Sequence, residues 1–169
     1  MSQRLNILVV DDSPTDFRLM ERYFKTAGVD ADCTRVESQK TLQEMLKSQH
    51  WDIALLDYNM PHLRFHDALA AVNESRPDLP VILVSGSVVE EKGLELLQRG
   101  LWDFVSKEQM LRLPLAVERS LQETNTRALL RDAEQQARIS ALAFETSDAI
   151  VIADAQGVIQ RVNPAFCET

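Results

Sequence analysis

The sequence predicts an α/β domain built on a five-stranded parallel sheet, doubly wound with helices on both faces. Two observations lead there. Five short apolar runs alternate with stretches of helical periodicity over the first two-thirds of the chain. The runs Ile53-Ala54-Leu55-Leu56 and Val81 to Val84 are apolar at every position, as expected of strands buried on both faces.

The elements follow in order. Ile7 to Val10 form the first strand. Ser13 can cap the following helix, Pro14 suits its first turn, and Asp16 stands where a capping-box acid would. Phe17, Met20, Phe24 and Ala27 then share one helical face, and Gly28 stops the helix. A weaker strand spans Ala31 to Val36, and Leu42, Met45 and Leu46 mark a second helix. After the third strand, Phe65, Ala68, Leu69 and Val72 mark a third helix that ends near Arg76-Pro77. The fourth strand is followed by a helix around Glu90 to Arg99, closed by Gly100, and Trp102 to Val105 form the fifth strand.

Between Leu111 and Phe144 there is no glycine, and Pro114 is the one proline. The composition favours a long helix leaving the domain. Val117, Leu121, Thr124 and Ala128 form one seam, and Leu130, Ala133, Ala137, Ser140 and Phe144 a second, out of phase with it. The helix can pack on its own domain or pair with a second copy, and the seams favour a homodimer. Beyond it, Ile150 to Ala153 and Val158 to Val162 flank a turn with Asp154, Gln156 and Gly157, which reads as a hairpin. Asn163-Pro164 starts another helix. About 25 residues cannot close a core alone, so the reading is a domain over 1–113, a linking helix over 114–144 and the opening part of a second domain over 145–169.

Composition narrows the function. The 26 acidic residues against 18 basic ones give a formal charge of -8, which argues against a general nucleic-acid backbone binder. No apolar run approaches the roughly 20 residues of a membrane span, and the N-terminus lacks a signal-peptide cleavage pattern. Cys33 and Cys167 match neither a metal-ligand spacing nor a disulfide framework. A cytoplasmic setting is the expectation. With only five glycines, no phosphate-cradling loop appears. His50, His62 and His66 read as surface or packing residues.

In a parallel sheet, functional groups gather beyond the carboxyl ends of the strands. Asp11 and Asp12 follow the first strand, Asp57 ends the third, Ser85 ends the fourth and Lys107 follows the fifth. Any one of these is more often a strand-end or surface residue. Their convergence on one edge is what gives them chemical meaning. Crowded carboxylates repel unless a cation relieves them, and Mg²⁺ prefers such oxygen ligands. A carboxylate can also act as a nucleophile towards phosphorus when the phosphoryl oxygens are screened. A lysine ammonium and a serine hydroxyl suit that screening.

The stretches ILVVDDSPTD, DIALLDYNMP, VILVSGS and DFVSK closely resemble the response-regulator receiver family over roughly residues 5 to 107. The resemblance implies the flavodoxin-like receiver fold and a phosphoacceptor role for Asp57. It also implies Mg²⁺ ligation by Asp11, Asp12, Asp57 and the carbonyl of Asn59. Ser85 and Lys107 would contact the phosphoryl group, and Phe104 takes the position of the switch aromatic. The phosphodonor implied is a sensor histidine kinase or phosphotransfer protein, and the chain is regulatory rather than an enzyme. Phe65 stands where the family often has glycine, and Glu108 where it often has proline after the lysine. The tail AIVIADAQGVIQRVNPAF resembles the opening of a PAS domain, which implies an output in cyclic-di-GMP or histidine-kinase signalling. Two other function classes are weighed against this one. A phosphorylation-independent docking or dimerisation module would have no need of the intact acidic set. An aspartyl-intermediate phosphatase would want a cap or a second acid/base motif, and neither is visible.

Overall fold

The structure, a computed structural model, describes residues 4–86, 96, 100–144, 151–153 and 156–167. The chain divides into two units, Met1–Thr124 and Asn125–Thr169. In the first, β1 (Leu5–Val10), β2 (Ala31–Val36), β3 (Ile53–Asp57), β4 (Val81–Ser85) and β5 (Asp103–Ser106) form a single sheet in the order β2-β1-β3-β4-β5. All four pairings are parallel. Helices α1 (Pro14–Thr26), α2 (Gln39–Ser48) and α3 (Phe65–Ser75) connect the early strands. A 3₁₀ turn, Lys107–Arg112, leads into α4 (Leu113–Phe144). The helix expected around Glu90 to Arg99 lies outside the described residues except for Leu96, which is helical and buried.

The sheet separates two apolar layers, because side chains alternate across a strand. Ile7 and Val9 of β1 pack with Ile53, Leu55, Ile82 and Val84 against Met20 and Phe24 of α1 and Leu113 and Val117 of α4. Leu8 and Val10 pack with Ala54, Leu56 and Leu83 against Leu42 and Leu46 of α2 and Phe65, Leu69 and Val72 of α3. The edge strand β2 is mostly half-buried, which explains its weaker apolar signature.

Helix ends follow local chemistry. The Ser13 hydroxyl accepts the Asp16 backbone N–H, and Pro14 occupies the first turn of α1. The Ser38 hydroxyl caps α2 in the same way through the Thr41 N–H. At the other end of α2, the Arg76 guanidinium donates to the carbonyls of Leu46 and Gln49, satisfying acceptors the helix leaves open. Gly28 closes α1 at a φ of 74°, where a side chain would be strained.

Two expectations change. The seam beginning Val117-Leu121 is not free for a second helix: Val117 is buried and Leu121 half-buried against this unit's own sheet. The core thus continues past residue 113, and Ala116 and Ser120 are buried as well. Asp16 does not act as the reciprocal acid of a capping box, because the Ser13 N–H already donates to Asp11 Oδ1 at 2.7 Å.

In the second unit, β6 (Val151–Ala153) pairs antiparallel with β7 (Ile159–Val162), and a short helix α5 (Pro164–Cys167) follows. The hairpin read from the sequence is present, while Ile150 and the turn residue Asp154 lie outside the described residues. Val151, Ile152, Val158, Ile159 and Phe166 are exposed. Among the described residues, no helix is long and apolar enough to cross a membrane.

Candidate functional site

The strand order β2-β1-β3 makes β1 the strand at which the winding reverses, and in sheets of this kind ligand sites lie beyond the carboxyl end of that strand. Asp11 is the first residue past β1 and is wholly buried. Asp57 is the last residue of β3 and only 4% exposed. Parallel pairing of Val10 with Leu56 brings the two strand ends level. Carboxylate oxygens of Asp11, Asp12 and Asp57 lie within 4.8 Å of one another.

Lys107 reaches this cluster from the end of β5. Its ammonium donates to Asp57 Oδ2 at 3.0 Å and to Asp16 Oδ2 at 2.6 Å. It lies 3.6 Å from Asp11 Oδ2, within ion-pair range but beyond a good hydrogen bond. Burial alone would push this ammonium down. The hydrogen bonds to Asp16 and Asp57, with the charges of Asp11 and Asp57, outweigh burial and hold it above its ordinary value. Asp11 is also raised, chiefly by burial, with the charges of Asp57 and Asp16 adding to it. The Ser13 N–H and Lys107 oppose the rise.

The donor set fits a hard divalent cation. Three carboxylates converge, all ligand atoms are oxygen, and Asp11 Oδ2 is buried with no hydrogen-bond partner among the described residues. A cation among these oxygens would give that atom a partner and relieve the crowding. The Asn59 N–H donates to Asp57 Oδ1 at 3.3 Å, which orients the Asp57 carboxylate.

Of the residues singled out from the sequence, Asp11, Asp12, Asp57 and Lys107 come together directly. Ser85 is buried at the end of β4, one position past Val84, which pairs with Asp57. Phe104 faces outward on β5 and is 36% exposed, while its neighbour Val105 enters the core. The Lys107–Glu108 bond is trans, as are all peptide bonds of the described residues.

Two contributors were not anticipated. Asp16, read as a capping acid, supplies the shortest contact to Lys107. Arg35, near the end of β2, donates to the backbone carbonyls of Asp11 at 3.0 Å and Asp12 at 3.3 Å, and pairs with Glu37 at 2.9 Å. It ties the loop bearing the acidic pair to the neighbouring strand. Only its position in β2, beside the end of β1, could have marked it in the sequence.

Comparison with known proteins agrees with this geometry. The family model described as the response regulator receiver domain matches residues 7–118. Chemotaxis protein CheY of Pseudomonas aeruginosa is 30% identical over 105 residues, covering 61% of this chain and 84% of that protein. Regulatory protein AtoC of Escherichia coli is 29% identical over 130 residues, 76% of this chain. The chain spans 28% of AtoC and 10% of the autoinducer sensor kinase/phosphatase LuxN of Vibrio campbellii, to which it is 28% identical. Among solved structures, the signal receiver domain of a putative LuxO repressor from Vibrio parahaemolyticus superposes with a TM-score of 0.66 at 23% identity, covering 76% of this chain and 98% of that one. The receiver domain of a Pseudomonas aeruginosa sensor histidine kinase, solved with magnesium coordinated in its active-site cleft, gives 0.60 at 20% identity, covering 71% and 99%.

Proposed function

The chain belongs to the response regulator receiver domain family, and from that premise we propose that Asp57 is its phosphoacceptor, charged by a sensor histidine kinase or phosphotransfer protein. The observation that supports this most directly is the 3.0 Å contact between the Lys107 ammonium and the buried Asp57 carboxylate inside the three-carboxylate cluster. As a receiver of two-component signalling proteins the domain is regulatory.

The chemistry follows from charge. An Asp57 oxygen attacks the donor phosphorus, forming an O–P bond as the bond from phosphorus to the donor's leaving atom breaks. Attack by one anion on another needs the phosphoryl charge neutralised. When bound, Mg²⁺ supplies that screening. Asp11, Asp12 and Asp57 with the Asn59 carbonyl would hold it. Lys107 offers its ammonium to the phosphoryl oxygens, and the Ser85 hydroxyl offers a hydrogen bond from the adjacent strand end. Burial of Asp11 and Asp57 keeps these interactions in a medium where they are stronger than in water.

Output is the second part of the proposal. Drawing Ser85 and Lys107 towards the phosphoryl group shifts an equilibrium between two packings, read out at Phe104 and along α4. The helix then carries the change towards a PAS-type segment over 145–169, in a cytoplasmic protein of cyclic-di-GMP or histidine-kinase signalling. Leu130, Ala133 and Ala137, which share one seam of its exposed length, support pairing of two copies there.

The test is acetyl phosphate with Mg²⁺, followed by intact mass. The wild-type chain gains one phosphoryl group and Asp57→Asn gains none. Equal gain in the two proteins overturns Asp57 as the acceptor, and no gain in either favours instead a phosphorylation-independent docking module.

A further inference from the structure

We propose that Asp16 is a positioning residue that holds the Lys107 ammonium beside Asp57 and keeps it out of the cation position. The inference deepens the reading of Asp57 as phosphoacceptor and rests on it.

The shortest contact of Lys107 is with Asp16, at 2.6 Å, against 3.0 Å to Asp57 and 3.6 Å to Asp11. Asp16 is not one of the three carboxylates that converge for a cation. It is fixed independently, in the first turn of α1, where the Ser13 hydroxyl accepts its backbone N–H. It is therefore a stationary post outside the cation cluster. A lysine ammonium sits on a flexible four-carbon stem and follows the local potential. Without Asp16, the strongest attraction left is towards Asp11, Asp12 and Asp57 themselves. Asp11 Oδ2 is already only 3.6 Å away and has no hydrogen-bond partner among the described residues. An ammonium drawn there would occupy the place of Mg²⁺ and turn away from an incoming phosphoryl group. Asp16 thus separates two positive charges that the same reaction needs in different places.

The proposal requires Asp16 to act through Lys107, so a four-protein cycle tests it: the full chain as wild type, Asp16→Ala, Lys107→Ala and the double variant. Titrate each with MgCl₂ by calorimetry without a phosphodonor. Then measure phosphorylation rate against acetyl phosphate concentration by intact mass, with Asp16→Glu as the conservative variant. In the wild-type background, Asp16→Ala weakens Mg²⁺ binding by about 5-fold or more, and in the Lys107→Ala background by less than about 2-fold. It lowers the rate at saturating donor by roughly 10-fold, leaves the half-saturating concentration within about 3-fold, and is partly rescued by glutamate. Equal losses of Mg²⁺ affinity in both backgrounds overturn the proposal, since Asp16 then acts as a separate charge. A faster Asp16→Ala also overturns it, because Asp16 would then be withholding the lysine. A wild type that gains no phosphoryl mass overturns the phosphoacceptor reading and this one with it. A wild type that gains it at the same rate as Asp16→Ala overturns this one alone.

Discussion

Asp57 and Lys107 are fifty residues apart in the chain and 3.0 Å apart in the fold. The contact crosses β4 at the carboxyl edge of the sheet, and it neutralises a carboxylate that is almost completely buried. Two of the other three acids around it, Asp11 and Asp16, also lean on the same ammonium.

Lys107→Ala should therefore destabilise the cation-free protein at neutral pH. Removing this ammonium leaves Asp11 and Asp57 buried beside like charges. Because the lysine side chain is itself 23% exposed, the cost is set below that of a fully buried pair, at about 1–3 kcal/mol. Lys107 is held above its ordinary value, so its contribution is complete below the unfolded lysine value and lost as pH rises through the higher folded one. Urea unfolding in EDTA should show the gap at pH 7, with the two proteins converging at strongly alkaline pH. Adding Mg²⁺ should recover most of it.

Asp11→Asn should do the reverse. The fold favours the proton on Asp11, by burial first and then by the charges of Asp57 and Asp16. Stability linked to this group is present below the ordinary carboxylate value, about 3.9, and falls as pH rises through the raised folded value. Asparagine imitates the protonated form and keeps an acceptor for the Ser13 N–H. In EDTA at pH 7, the variant should exceed wild type by about 1 kcal/mol, the scale of a single substitution. The order should invert in excess Mg²⁺, because only wild type gains by binding it. Melting curves with and without Mg²⁺ at pH 7 check this, and a wild type that stays ahead in EDTA refutes it.

Arg35→Met tests whether the backbone of the acidic pair needs its tie to β2. The stem is kept and the donors to the Asp11 and Asp12 carbonyls are lost. Hydrogen bonds from a charged donor contribute about 1.5–3 kcal/mol together with the cost of leaving their acceptors unpaired. The half-exposed site puts the expected loss near the lower figure. Mg²⁺ affinity should fall too, since both carbonyls belong to residues that would hold the ion. Urea unfolding together with an Mg²⁺ titration separates the two effects, and unchanged affinity would confine Arg35 to stability.

Much of this site was legible before the fold because strand ends announce themselves. Asp57 stops a run in which every other residue is apolar, and Asp11 follows four core positions in succession. Side chains that act from within other elements left no such mark. Asp16 already had a local role at the start of α1, and that role concealed its reach across the sheet to Lys107. Arg35 is one arginine on a half-buried edge strand, where a charge is ordinary. The Val117-Leu121 seam carries two readings in the sequence for a different reason. A stripe that packs on its own sheet and one that pairs with another helix share nearly the same period, so spacing alone cannot name the partner.

That ambiguity ends farther along α4, where self-association can be tested without touching the core. Leu130 is 59% exposed, and Ala133 and Ala137 on the same seam are exposed too, whereas Val117 is 1% exposed. Leu130 gains by burial against the same seam of a second copy, roughly 1.5–3 kcal/mol if fully covered. Leu130→Glu should raise the dissociation constant of a helical dimer by about 10-fold or more, through lost burial and a charge placed in the seam. It should leave receiver-unit unfolding within about 0.5 kcal/mol, since it removes no buried contact there. Sedimentation across a concentration series, with and without beryllofluoride, reads the first effect, and urea unfolding reads the second. A wild type that remains monomeric at every concentration in both conditions would show that this exposed length does not pair copies of the chain.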